Sequence, residues 1–281
     1  MKKYLVVLMA LLVSSNLYAK ESGFSLSTAL VGMSMDYREY DDNNVILDSE
    51  KSTSNTGALF GPDLGFSYTK VLESGNYAEL GVHFMIVSGE TEYVGALFTS
   101  GEGYGSYRGT TKNIVFDTDI DYRFTHVFNS GFSLNYGMGV GYRSWRRELS
   151  SVQIEDYKWV SLRPQIGVLY TISMFSVGLD LEYQYGLNPK MTILADSENP
   201  DTTVNLGGAN IIQICVPFTF SVHENVDLFI EYIYENQIID KSDTAPYLYY
   251  DKYGQLKNGM IHEPKSTANN SYAKFGAVFK F

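Results

Sequence analysis

A single cysteine, Cys215, stands among 281 residues, so no disulfide can form within the chain, whatever the redox state of its compartment. Proline is scarce, with seven residues, which leaves long stretches free to pair as strands, because a proline removes a hydrogen bond from the ladder. Positive charge is also short: 21 Lys and Arg stand against 32 Asp and Glu, a net charge of −11. A nucleic-acid partner is excluded by that balance, since a phosphate backbone is held by clustered Lys and Arg and no such cluster is present. After the first residues there is no run of about 18 uncharged apolar residues, which excludes a helical membrane span.

Aromatic residues, by contrast, are abundant, at 15% of the chain with 23 Tyr. Residues 1–19 have the pattern of a secretory signal: Lys2 and Lys3, an apolar stretch from Tyr4 to Val13, and Asn16-Leu17-Tyr18-Ala19 as the cleavage end. The apolar stretch is shorter than the roughly 20 residues of an anchoring helix. Residues 20–281 are then expected to form one domain, as no linker divides them.

The last eleven residues, SYAKFGAVFKF, set the pattern for that domain. Side chains alternate along a strand, so Ser271, Ala273, Phe275, Ala277, Phe279 and Phe281 share one face, and Tyr272, Lys274, Gly276, Val278 and Lys280 the other. This ending resembles the terminal strand of Gram-negative outer-membrane β-barrels. Nine further segments repeat the alternation. In one, Ile114, Phe116, Thr118, Ile120, Tyr122 and Phe124 alternate with Val115, Asp117, Asp119, Asp121 and Arg123. Short turns fall after the second, fourth, sixth and eighth segments, and long polar connections elsewhere, such as Arg38 to Thr56, Ser88 to Lys112 and Gln237 to Asn270. In hydrocarbon the edge N–H and C=O groups find no water, so strands must close on themselves. An even strand number puts both termini and the short turns on one side. The expected fold is all-β: a transmembrane antiparallel up-and-down β-barrel of ten strands, favoured over eight or twelve, with long extracellular loops. In the first segment, Gly23 to Tyr37, the alternation loses phase near Leu30 and Val31, which predicts a bulge there.

The inward set is highly charged. Glu79, His83, Asp117, Asp119, Asp121, Asp180, Glu182, Glu231 and Glu235 are expected to share the lumen with Arg123, Arg143, Arg163, Lys274 and Lys280. Small barrels are filled by their own side chains, and open aqueous channels belong to about 16 to 18 strands. Buried charges are tolerated when paired, so these residues read as a structural salt-bridged network rather than as an ion path. The glycines opposite, Gly137, Gly139 and Gly141, would leave room for larger side chains. Asp117-Thr118-Asp119-Ile120-Asp121 lacks the glycine and helical context of a calcium loop. The Asp41-Asp42-Asn43-Asn44 run reads as a solvated loop tip. Gly101-Glu102-Gly103-Tyr104-Gly105 opens no helix, so it is no phosphate loop. Of the four histidines, His126 and His223 fall at short turns, His262 in the last long loop, and only His83 among carboxylates. No cofactor or metal site is expected.

From Val216-Pro217-Phe218 through Asp227-Leu228-Phe229-Ile230-Glu231-Tyr232 to Ala273-Lys274-Phe275-Gly276, the chain resembles the omptin/adhesin group of ten-stranded outer-membrane barrels in layout. Omptin proteases carry an acidic pair and an Asp–His pair at the extracellular mouth. The matching loops here hold Glu90, Glu92 and Glu102, and Asp196, Glu198 and Asp201, with no histidine, so no catalytic residue is carried over. The resemblance implies an outer-membrane location, contact with lipid and lipopolysaccharide, and delivery by the barrel-assembly machinery through the strand ending in Phe281. Three functions follow from these readings. The first is a non-enzymatic surface or adhesin-like barrel binding through loop tyrosines such as Tyr247, Tyr249, Tyr250 and Tyr253. The others are an omptin-type endopeptidase using His262 and a narrow small-solute channel.

Overall fold

The computed structural model describes residues 22–96, 103–128, 131–150, 153–194, 201–250 and 255–281, with the backbone alone at 249, 250 and 256. Residues 1–19, read as a signal, lie outside the described residues. Thirteen strands and no helix occur among those described: β1 (Gly23–Tyr40), β2 (Ile46–Lys51), β3 (Leu59–Val71), β4 (Tyr77–Gly95), β5 (Tyr107–Val127), β6 (Phe132–Glu148), β7 (Ile154–Ile172), β8 (Phe175–Leu194), β9 (Thr202–His223), β10 (Val226–Ser242), β11 (Ala245–Tyr250), β12 (Leu256–Ile261) and β13 (Lys265–Lys280).

Ten of these form the barrel. From β1 through β3 and on to β10, each strand pairs antiparallel with the next, β10 pairs with β13, and β13 returns to β1. The closing seam runs unbroken from Ser25↔Lys280 to Tyr40↔Lys265, so neither end strand is left with a free edge. Strand β2 sits above β3 in the same position, paired with β1 on one side and β4 on the other. The strands β11 and β12 form a separate hairpin. Tight turns join β3 to β4, β5 to β6, β7 to β8 and β9 to β10 at one end. In the first of these Gly75 takes φ of 79°, a conformation cheap only for glycine.

The outer wall has two zones. Next to the short turns it is apolar: Leu30, Leu80, Ile120, Val140, Leu179, Ile230 and Phe275 all point outward and are exposed. Further along the same strands the outward residues turn polar, as at Arg38, Lys51, Glu90 and Lys158. Where polar connections were expected, the strands continue. β4 and β5 extend to Gly95 and from Tyr107, β6 and β7 meet at Glu148 and Ile154, β9 begins at Thr202, and β10 and β13 reach Ser242 and Lys265. Outward polarity ends the apolar band but leaves backbone pairing intact, because a wall standing in water needs no apolar outer face.

The bulge expected at Leu30 and Val31 is absent: β1 pairs in constant register with β13 and β3 through those residues. Leu30 faces outward at 73% exposure and Val31 inward at 0%. Apolar residues therefore occupy both faces of β1 at this height, and that double apolarity is what mimics a lost phase.

Gly61 and Pro62 have no partner on β4 between the pairs Phe60↔Ser88 and Asp63↔Met85. A Cβ at Gly61 would overlap the carbonyl oxygen of Ile86. Gly61→Val is expected to cost about 1–3 kcal/mol, read as a lower melting point of the compact band in unheated SDS gels; an unchanged melting point would contradict this close approach.

Candidate functional site

The alternation that turns apolar side chains outward sends the opposite set into the lumen, and they stack there in layers. Nearest the short turns, His83 on β4 sits 2.8 Å from Asp63 through Nε2 and 3.5 Å from Asp119 through Nδ1. Lys274 on β13 reaches the same Asp63 oxygen at 2.6 Å. Asp121 lies 3.7 Å from Arg123, and Lys280 pairs with Asp227 at 2.6 Å. Glu79 accepts from the Thr69 hydroxyl, Asp180 from the Asn135 amide and Glu182 from the Gln184 amide. Glu231 stands opposite Lys274 in the strand register. A cavity of about 430 Å³ lies among these residues, lined by Asp63, His83, Asp121, Arg123, Glu182 and Lys274 among others.

The second layer crosses the barrel. Arg143 on β6 donates from Nε to Asp117 at 2.6 Å and grips both oxygens of Glu235 on the far wall, at 2.9 and 2.8 Å. Such a two-pronged contact is a guanidinium's strongest geometry. Arg163 takes the other Asp117 oxygen at 2.8 Å. Gln213, Asn270 and Tyr272 all donate to Glu235, which is fully buried. A Cβ at Gly141 would collide with the Arg163 guanidinium, so this glycine clears the space that the arginine fills. Arg123 stays beside Asp121, and Arg143 and Arg163 hold Asp117.

Above this lies an apolar core inside the barrel, including Val31, Met33, Leu59, Val115, Trp145, Trp159, Ile211 and Ile239. It begins beside the apolar outer band, where Leu30 and Phe60 are exposed next to Val31 and Leu59, and continues to the height at which the outer wall turns polar.

The uppermost layer centres on Arg147, with 0% exposure. Its guanidinium donates to Glu39 and Glu155, both at 2.9 Å, and to Glu50 at 2.7 Å from Nη2. Asp48 is 3.9 Å away. The guanidinium also lies over the Tyr37 ring, 4.3 Å from its centroid, a favourable placement for a cation on an aromatic face. Glu263 completes the group, accepting hydroxyl hydrogen bonds from Tyr157 and Tyr37. Five carboxyls thus surround one guanidinium. Burial, then the neighbouring Glu39, raises Asp48 well above the ordinary carboxylate value. Burial also raises Glu155, against the pull of Arg147, and it raises Glu263 strongly with help from Glu39 and Glu155.

Twelve of the fourteen residues expected in the lumen line its cavity; Glu235 meets Arg143 in the layer above and Lys280 pairs with Asp227. The sequence reading does not single out Asp63 or the Arg147 group. Arg147 follows Gly141, Arg143 and Trp145 in one unbroken phase, which is the signal that could have found it. His262 is exposed and makes no ion pair among the described residues. Glu90 is exposed and Glu92 half-buried, whereas Glu102, Asp196 and Glu198 lie outside the described residues. Among the described residues no group of His, Cys, Asp and Glu is placed to hold a metal ion.

Removing the guanidinium leaves buried carboxyls uncompensated, so Arg147→Ala is expected to cost about 3–5 kcal/mol at neutral pH. A carboxyl whose folded pKa exceeds its unfolded value binds its proton more tightly when folded, so its stabilisation is complete at and below the unfolded value and falls as pH rises. The deficit in urea midpoint should therefore shrink as pH is lowered towards 4.5, the ordinary glutamate value. A deficit independent of pH would contradict the assignment.

No protein-family model matches the chain, and no curated protein matches it. Among solved structures, the outer membrane protease OmpT from Escherichia coli matches with a TM-score of 0.55 and 11% identity, covering 92% of this chain and 97% of that one. The translocator domain of the autotransporter NalP from Neisseria meningitidis gives a TM-score of 0.40 and 10% identity, over 100% and 94%. The toluene transporter TodX from Pseudomonas putida gives 0.36 and 10%, over 97% and 94%. At this identity the OmpT likeness establishes the fold: the chain is an antiparallel up-and-down β-barrel built like an outer-membrane protein.

Proposed function

We propose that the chain is an integral outer-membrane barrel, closed to solutes, that acts at the cell surface through its extracellular wall and hairpins as a structural or binding protein. The observation that carries this reading is the filled lumen. The Arg143–Glu235 bridge, the apolar core and the Arg147 group succeed one another across the barrel. The β11–β12 hairpin then rests Ala245, Tyr247 and Ile261 against the core. Among the described residues, this succession supports a lumen without the continuous water path that conduction needs. Tyr247 is half-buried in that packing, so it supports the cap more than a binding surface.

Outer-membrane residence is supported by the exposed apolar band, which only a lipid surround makes favourable. On four adjacent strands the first charged outward residue past that band is a cation: Lys112, Arg146, Lys158 and Lys190. Glu148 lies 3.5 Å from Lys112 and 3.0 Å from Arg146, and Asp156 lies 3.3 Å from Lys158. Lys158 nonetheless stands directly opposite Lys190, a repulsive pairing on its own. Anionic lipopolysaccharide headgroups at that height would relieve it. The strand ending in Phe281, which pairs with β1 and β10, is read as the recognition element for barrel assembly. A surface protease is the reading this one displaces, because exposed His262 makes no ion pair with a carboxylate among the described residues.

Refolded into planar bilayers with a lipopolysaccharide leaflet, the protein is expected to produce no discrete conductance steps and to leave dibasic peptides intact. Stable steps would overturn the closed-barrel reading, and cleavage lost in His262→Ala would establish the protease. Separately, Lys158→Ala combined with Lys190→Ala should weaken binding to lipopolysaccharide vesicles several-fold without changing the heat stability of the barrel.

A further inference from the structure

Glu263 differs from the other four carboxyls of the Arg147 group in what it is attached to. Glu39, Glu50, Asp48 and Glu155 belong to strands of the wall, but Glu263 follows β12 directly and begins the return to β13. Its backbone N–H donates to the Ser242 hydroxyl at 2.7 Å, and Ser242 N–H donates to its carbonyl at 3.0 Å. These bonds tie together the two feet of the β11–β12 hairpin. Its carboxyl turns into the barrel, with the residue only 4% exposed. Latch and hairpin are thus one piece, and the socket belongs to the wall.

The socket is overloaded with acid. Tyr37 from β1 and Tyr157 from β7 reach the Glu263 carboxyl; beside them Glu39 from β1, Asp48 and Glu50 from β2 and Glu155 from β7 surround Arg147 from β6, and Tyr93 from β4 donates to Asp48. The donors of Arg147 are already committed to Glu39, Glu50, Glu155 and the two tyrosines. Glu263 receives phenol hydroxyls instead. The bond from Tyr157 favours an ionised carboxyl, but burial beside Glu39 and Glu155 outweighs it and favours a neutral one. An ionised one would add a buried negative charge among carboxylates with no cation of its own, an arrangement that low-dielectric surroundings penalise heavily. Among these carboxyls, Glu263 alone can escape to water by moving the hairpin rather than the wall. What opposes that movement is the contact of Ala245, Tyr247 and Ile261 with the core, together with the Asn205–Asp243 bonds at the hairpin foot.

We propose that the β11–β12 hairpin is a proton-dependent cap on the mouth of the barrel, latched by the neutral carboxyl of Glu263 and released when that carboxyl ionises. The cap is tight in acid and loosens as pH rises above the ordinary glutamate range, the direction set by the raised folded-state value. The layers below stay in place, so release uncovers the apolar core and the Arg147 socket without opening a channel. Acid thus hides this chemistry at the mouth, and higher pH offers it to solution.

The chain has two tryptophans, Trp145 and Trp159, 3% and 2% exposed and both in the apolar core beneath the cap. Acrylamide quenching of their fluorescence in the full-length refolded protein therefore reads the cap. Between about pH 4.5 and about pH 9, quenching of the wild type should rise several-fold, while far-UV circular dichroism and the compact gel band confirm an intact barrel. Glu263→Gln, which keeps the hydrogen-bonding shape without the charge, should stay weakly quenched throughout. Glu263→Ala, lacking the latch, should be strongly quenched at every pH. A flat wild-type profile, or a pH-dependent rise surviving in Glu263→Gln, would overturn the proposal. Should the glutamine variant fail to fold, the wild-type profile decides alone.

Discussion

Closure of the hydrogen-bond ring is the constraint from which the other features descend. In hydrocarbon an unpaired backbone N–H or C=O costs several kcal/mol, so β1 and β13 must meet along their length, as their unbroken register shows. Once the ring is closed, the inside is a narrow tube of fixed circumference. Ten strands leave space for side chains and little else. The lumen charges must then find partners, across the tube as Arg143 does from β6 to Glu235 on β10, or at its rim as the half-exposed Lys280 does with Asp227.

The outer wall has an apolar zone and a polar one, and the interior changes character along the same axis. Where the outside faces apolar surroundings, charge is packed within, and the wall is an inverted version of a soluble protein. Towards the polar zone, the inside becomes apolar. Arg147 lies beyond that inversion, which is why its carboxyls are a matter of proton binding as well as of pairing. The same strand supplies both environments: β6 carries Val140 and Tyr142 outside with Arg143 within, then Arg146 outside with Trp145 and Arg147 within.

Much of the barrel was legible in the sequence because a period of two is hard to disguise over ten segments. The closing strand, and the side of the wall on which Arg143 and Glu235 meet, follow from that alternation. The upper half does not. Val31 and Met33 face in while Leu30 faces out, so hydrophobicity carried no phase information and suggested a bulge. Beyond Lys112 and Lys158 the outward residues are polar, and polarity was read as loop although the pairing continues. The members of the Arg147 group come from five separate stretches, β1, β2, β6, β7 and the segment after β12. Only the register of the closed ring brings Glu50 to Arg147, and that register is a long-range property that no local window contains.

The apolar core inside the upper barrel also constrains the order of events during folding. It draws at least one residue from every one of the ten barrel strands, from Val31 on β1 and Leu59 on β3 to Ile239 on β10 and Ala268 on β13. No subset of hairpins can bury it, so most of its stabilisation arrives with the last strand, after the long-range pairings have been made. The core thereby acts as a completion signal. A barrel that lacks one strand keeps Trp145 and its neighbours wet, and only the finished ring is dry at its upper end.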